Sequence, residues 1–162
     1  MIDELLGANA RYASSFAAAD APSKPRLKLA VVTCMDARID PAALLGLAPG
    51  DAHVIRNAGG RADESAIRSL VVSYKLLGTR EFVVIHHESC GMLSFTNDEL
   101  RSALKADLGA DASDVDFMPF TDLDQSVRDD VRTLRESPLI PGDIVITGFV
   151  YDVRSGRLRE VR

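Results

Sequence analysis

The chain has 162 residues, of which 46% are hydrophobic and 27% charged, and its formal net charge is −5. That length can bury a full core in one domain without disulfide staples, and the acidic balance argues against nucleic acid or an anionic membrane surface as a main partner. No apolar run approaches the roughly 20 residues of a membrane span. The acidic start MIDELL lacks the basic-then-apolar order of a signal peptide, so a cytoplasmic chain is expected.

Residues 1–20 read as an N-terminal helical arm. Ile2, Leu5, Leu6, Tyr12 and Phe16 give it a partly apolar face before the break at DAPSKP. Such a face fits packing on a second subunit, and a helix folded onto its own domain is the competing expectation. The run LKLAVVT (27–33) is apolar and β-branched, as a strand covered on both faces requires. Asp40, Pro41 and Gly46 then supply the cap, the first-turn proline and the stop of a short helix. AHVIRNAGG (52–60) reads as a second strand entering a glycine turn. Ile67, Leu70, Val71, Tyr74 and Leu77 repeat at helical spacing within 63–77, ahead of Gly78.

REFVVIHH (80–87) is a third buried strand. Thr96 and Glu99 form a capping-box pattern that opens a helix through Leu100, Ala103 and Leu104 to Gly109. Residues 110–120 are irregular and acidic. Thr121 is expected to start the last helix, with Leu123, Val127, Val131 and Leu134 on one face and Pro138 beyond its end. GDIVITGFVYD (142–152) is a fourth buried strand, and SGRLREV can add a short C-terminal partner. Alternating strands and helices define an α/β fold: a mainly parallel four-stranded sheet with flanking helices, in one domain spanning 1–162.

In open parallel sheets, sites form beyond the carboxyl ends of the strands. Here TCMDAR, RNAGG and HHESCG follow the first three strands, so their polar groups converge on one sheet edge. The chain has two cysteines, Cys34 and Cys90. They can be read as buried core thiols, as a disulfide pair, as nucleophiles or as metal ligands. A phosphatase-type loop needs Cys and Arg six positions apart, whereas Arg38 lies only four beyond Cys34. A Cys–His hydrolase would leave the second cysteine and the Asp36–Arg38 pair without a role. Two thiolates and one imidazole suit tetrahedral Zn²⁺, and three protein ligands leave the fourth position open, as in catalytic rather than structural sites. His86 and His87 point to opposite faces of their strand, so spacing alone leaves open which imidazole faces a metal.

Together, Cys34-Met35-Asp36-Ala37-Arg38 and His87-Glu88-Ser89-Cys90-Gly91, with VIRNAGG between them, resemble the β-class carbonic anhydrases over roughly residues 28–150. The resemblance implies reversible hydration of CO₂ to bicarbonate and a proton by a hydroxide on zinc. It also implies one Zn²⁺ per chain, held by Cys34, His87 and Cys90, with Asp36 and Arg38 as the catalytic pair and a homodimer or higher homo-oligomer as the assembly. His86, His53, Arg56, Asn57, Gly59 and Gly60 are then read as structural. Two alternatives stand beside this reading: a related zinc hydrolase acting on CS₂ or COS, and a non-catalytic zinc-stabilised binding module. Some bacterial members bind inhibitory bicarbonate in a pocket that includes tryptophan. This chain has no tryptophan, so regulation of that form is not expected.

Overall fold

A computed structural model describes residues 1–162. Helix α1 (Ile2–Ser14) comes first, followed by β1 (Leu29–Cys34), α2 (Pro41–Leu45), β2 (Ala52–Asn57), α3 (Glu64–Leu77) and β3 (Glu81–His87). After these come α4 (Asn97–Leu108), α5 (Leu123–Glu136), β4 (Val145–Asp152) and β5 (Arg157–Val161). The strands form one sheet in the order β2-β1-β3-β4-β5. The first four are parallel, and β5 pairs antiparallel with β4, so the short C-terminal partner is a true fifth strand.

Local chemistry accounts for the helix limits. The Asp40 carboxylate accepts from the Ala42 and Ala43 amides, which caps α2 ahead of Pro41. At α4, Thr96 and Glu99 form the expected capping box. The last long helix departs slightly from expectation, because its cap is Asp122 rather than a start at Thr121. The Asp122 carboxylate accepts from the Gln125 amide at 2.9 Å, and a charged acceptor suits the positive end of a helix.

Helices α3 and α5 lie on one face of the sheet. There Ala30, Val32, Phe82, Val84, Ile146 and Val150 pack against Leu70, Val127, Val131 and Leu134. Side chains such as Phe82 and Leu70 are fully buried, and each contributes about 1.5–3 kcal/mol of transfer free energy. Helix α5 approaches β4 so closely that a Cβ at Gly148 would lie 2.4 Å from Val127 Cγ1. Only glycine permits this contact, which sets how α5 sits over the sheet edge. No residue of α1 is buried, so the apolar face of the arm is not covered by its own domain. No helix is long and apolar enough to cross a membrane.

Candidate metal centre

The carboxyl ends of β1, β2 and β3 are neighbours. Cys34 pairs with Asn57, Thr33 pairs with Ile85, and the Met35 amide continues the ladder by donating to the Asn57 carbonyl at 2.9 Å. The parallel register therefore places the three polar segments side by side. Beyond β3, Ser89 takes a left-handed conformation (φ 55°), which reverses the chain between His87 and Cys90. Across this edge the 58–60 turn is wedged. A Cβ at Gly60 would come within 2.9 Å of the Cys34 amide nitrogen and 3.0 Å of the Ile85 carbonyl oxygen. The backbone of the turn thus rests directly on the ends of β1 and β3.

Cys34, His87 and Cys90 are all buried, and their ligand atoms lie within 4.8 Å of one another. The edges of a tetrahedral zinc site with these donors are about 3.5–3.8 Å, so a small closing movement suffices. The His87 ring is prepared for a metal. Its Nδ1 faces the Glu88 carbonyl at 3.0 Å and donates to it, so Nε2 carries the lone pair. That Nε2 is buried without a hydrogen-bond partner. A buried polar atom without a partner is costly, and a cation between the two sulfurs would satisfy it.

The two thiols share their protons unequally. The Cys90 thiol donates to the Cys34 sulfur, which lowers the Cys34 pKa; burial opposes this, and the neighbouring His87 ring and the Asp36 and Gly59 amides reinforce it. Donating to that sulfur, together with burial, pushes Cys90 up, while the Met92 amide works in the opposite direction.

Asp36 and Arg38 form a closed fork beside the sulfurs. Arg38 Nε donates to Oδ1 at 2.9 Å, its terminal nitrogen donates to Oδ2 at 2.7 Å, and its own amide donates to Oδ1 at 2.9 Å. These bonds hold the Asp36 carboxyl well below the usual carboxylate range. The same guanidinium donates to the Ser89 carbonyl at 3.1 Å, tying the pair to the loop that carries Cys90. Asp36 Oδ2 lies 3.8 Å from His87 Nε2, so the carboxylate borders the position where a metal would sit.

Four residues read as structural acquire specific partners. Arg56 Nε donates to the Cys34 carbonyl at 3.0 Å, and its terminal nitrogen donates to the Asp36 carbonyl at 2.8 Å. It thereby clamps the backbone on both sides of Met35. Asn57 brackets the glycine turn, with its side chain donating to the Arg61 carbonyl and accepting from the Arg61 amide, both at 2.7 Å. His53 lies away from the site, with Nδ1 2.7 Å from Ser73 Oγ and Nε2 3.2 Å from the Ser23 carbonyl. His86 faces away from the sulfurs, with Nδ1 2.7 Å from Ser126 Oγ and Nε2 3.0 Å from Asp130 Oδ2. Burial alone would raise the Asp130 carboxyl, but hydrogen bonds from His86 and Arg61 outweigh it and hold the pKa low. A cavity of about 380 Å³ opens over the centre, with Met35, Ala58, Gly59, Met92 and Phe95 on its walls.

A parallel α/β sheet whose strand ends carry two thiols, one imidazole with a free lone pair and a paired carboxylate defines a thiolate–imidazole metalloenzyme. Comparison with known proteins narrows this class. The carbonic anhydrase family profile matches residues 29–158. Beta-carbonic anhydrase 1 of Mycobacterium tuberculosis is 40% identical over 161 residues, covering 98% of this chain and 96% of that protein. A crystal structure of a carbonic anhydrase from Streptococcus mutans is 53% identical, with a TM-score of 0.96 over 99% of this chain and 97% of that one. A carbon disulfide hydrolase of an Acidianus species is 37% identical over 156 residues, covering 82% of this chain and 76% of that protein. The chain belongs to the β-class carbonic anhydrase family.

Proposed function

We propose that the chain catalyses the reversible hydration of CO₂ to bicarbonate and a proton at a centre formed by Cys34, His87 and Cys90, with Asp36 and Arg38 as the catalytic pair. The observation that carries this reading is the convergence of two thiols and the unpaired His87 Nε2 beside an Asp36 already locked to Arg38. Zinc held there would act as a Lewis acid and lower the pKa of a water from 15.7 towards neutrality.

The chain's own residues supply the remaining functions. Asp36 stays ionised, and its Oδ2 faces the reaction position, where it accepts a hydrogen bond from the reacting water and aims the oxygen's lone pair at carbon. Arg38 uses two side-chain donors to keep that carboxylate charged and turned in one direction. The cavity wall of thioether, methyl and phenyl groups admits apolar CO₂ readily and solvates the bicarbonate anion poorly, which favours release.

Carbon disulfide hydrolases share the family, but the Streptococcus mutans and Mycobacterium tuberculosis carbonic anhydrases are 53% and 40% identical to this chain against 37% for the Acidianus hydrolase. CO₂ is therefore the preferred substrate, and a stopped-flow comparison of CO₂, CS₂ and COS on zinc-loaded protein tests this. Faster turnover of CS₂ or COS than of CO₂ would transfer the assignment to the hydrolases.

Residues 1–162 act as one domain whose 1–20 arm packs on a second copy. Ile2, Leu5, Leu6 and Tyr12 on α1 are between 59% and 65% exposed, an apolar stripe left uncovered in the isolated chain. The native protein is expected to run at twice the chain mass in light scattering, and a Leu5→Asp/Leu6→Asp double variant at the monomer mass. A native monomer at all concentrations contradicts this assembly. Two free thiols serving as metal ligands suit a reducing compartment, which supports a cytoplasmic location.

A further inference from the structure

We infer that the Arg61–Asp130–His86 cluster is a positioning device for both metal thiolates, because it fixes the two loops packed against the cysteines. The inference rests on the zinc reading above. On the Cys34 side, Gly59 shares the cavity wall with Cys34 and lies in the turn wedged over β1 and β3. That turn ends at Arg61. The Arg61 guanidinium grips Asp130 with two bonds of 2.8 and 3.2 Å and donates to the Met118 carbonyl at 2.6 Å. On the Cys90 side, Cys90 packs with Met92 and Phe120, and the Met92 carbonyl accepts from the Phe120 amide at 3.2 Å. The Phe120 ring stacks on His86 with centroids 5.6 Å apart, and Arg61 lies 5.5 Å from the same ring.

One cluster therefore holds both loops. Arg61 anchors the Gly59 turn from its C-terminal end, and the His86–Phe120 stack anchors the segment that supports Met92. Asp130 joins the two arms, since its carboxylate binds Arg61 and His86 at once. Asp130 is 1% exposed and His86 is fully buried, with the partly exposed Arg61 covering them, so the geometry of the cluster is set mainly by its own partners. The backbone packed against a thiolate fixes its position and polar surroundings, and so how strongly it donates to a metal. Arg61, Asp130 and His86 are thus positioning residues that touch neither substrate nor metal.

The test uses cobalt(II) in the full chain, because its thiolate-to-metal charge-transfer band reports sulfur donor strength without any turnover. Asp130→Asn and Arg61→Lys are expected to move that band to longer wavelength and to speed metal release to a chelator by about 10–100-fold. Ser73→Ala serves as the comparison. Ser73 is equally buried and bonds Thr79 at 2.6 Å, but it lies in a polar cluster remote from the sulfurs, so band and release should stay native. If Asp130→Asn does not fold, Arg61→Lys and Ser126→Ala decide the matter. Native spectra and release rates in the folded cluster variants overturn the inference, as does an equal change in Ser73→Ala. Failure of the native chain to bind one cobalt would instead defeat the zinc reading itself.

Discussion

Replacing Asp36 by asparagine lowers kcat/KM for CO₂ hydration by about 10²–10⁴-fold while bound zinc stays at the native level. The substitution keeps the shape of the side chain but removes its charge and half of its accepting capacity. In the native chain, Oδ1 accepts from the Arg38 amide and Nε, and Oδ2 accepts from the terminal nitrogen. An asparagine NH₂ placed at either position faces a donor, so the fork must open. The group 3.8 Å from His87 Nε2 then no longer accepts reliably from the reacting water. Cys34, His87 and Cys90 remain in place, so metal analysis separates loss of catalysis from loss of the centre. An Asp36→Asn variant with native kcat/KM would remove Asp36 from the mechanism.

Cys34→Ser has the opposite signature, because activity and metal are lost together. A serine hydroxyl stays protonated where the Cys34 thiol ionises with help from Cys90 and the neighbouring His87. Its oxygen is also smaller than sulfur and does not reach the same point from a strand end held by Arg56. Loss of a direct ligand should exceed the effect of losing an outer partner, so zinc affinity is expected to fall by more than about 100-fold. Competition with a chelator measures this. Retention of one tightly held zinc by Cys34→Ser would exclude that residue from the ligand set.

Much of this was legible in the residues themselves. Continuous apolar runs marked β1 and β3, because a strand covered on both faces has no polar alternation to blur it; β4, also expected to be fully buried, buries only alternate residues such as Ile146 and Val150. Alternating strands and helices implied the parallel order, and the parallel order placed the strand-end motifs on one edge. The spacing Cys34-x-Asp36-x-Arg38 with His87-x-x-Cys90 then pointed to the site through family resemblance. What remained hidden depends on contacts between segments distant in the chain. Arg56 reads as an ordinary strand residue until its guanidinium is seen between the Cys34 and Asp36 carbonyls. Phe120 sits in an acidic, irregular segment, yet it packs with Cys34, Cys90 and Met92. Asp130 did leave a trace. It falls among Val127, Val131 and Leu134 on the apolar face of α5, where a carboxylate must find partners. Neither Arg61 nor His86 could be named as those partners from spacing alone.

The most direct test is stopped-flow CO₂ hydration by zinc-loaded native protein from neutral to alkaline pH. Two thiolates leave the metal less positive than three imidazoles would, so the water it acidifies should have a pKa above about 7. Asp36 is already ionised throughout this range and adds no inflection of its own. The account predicts hydration that rises with pH, disappears when zinc is stripped and returns when zinc is restored. No CO₂ hydration at any of these pH values, with one zinc bound per chain, would contradict it.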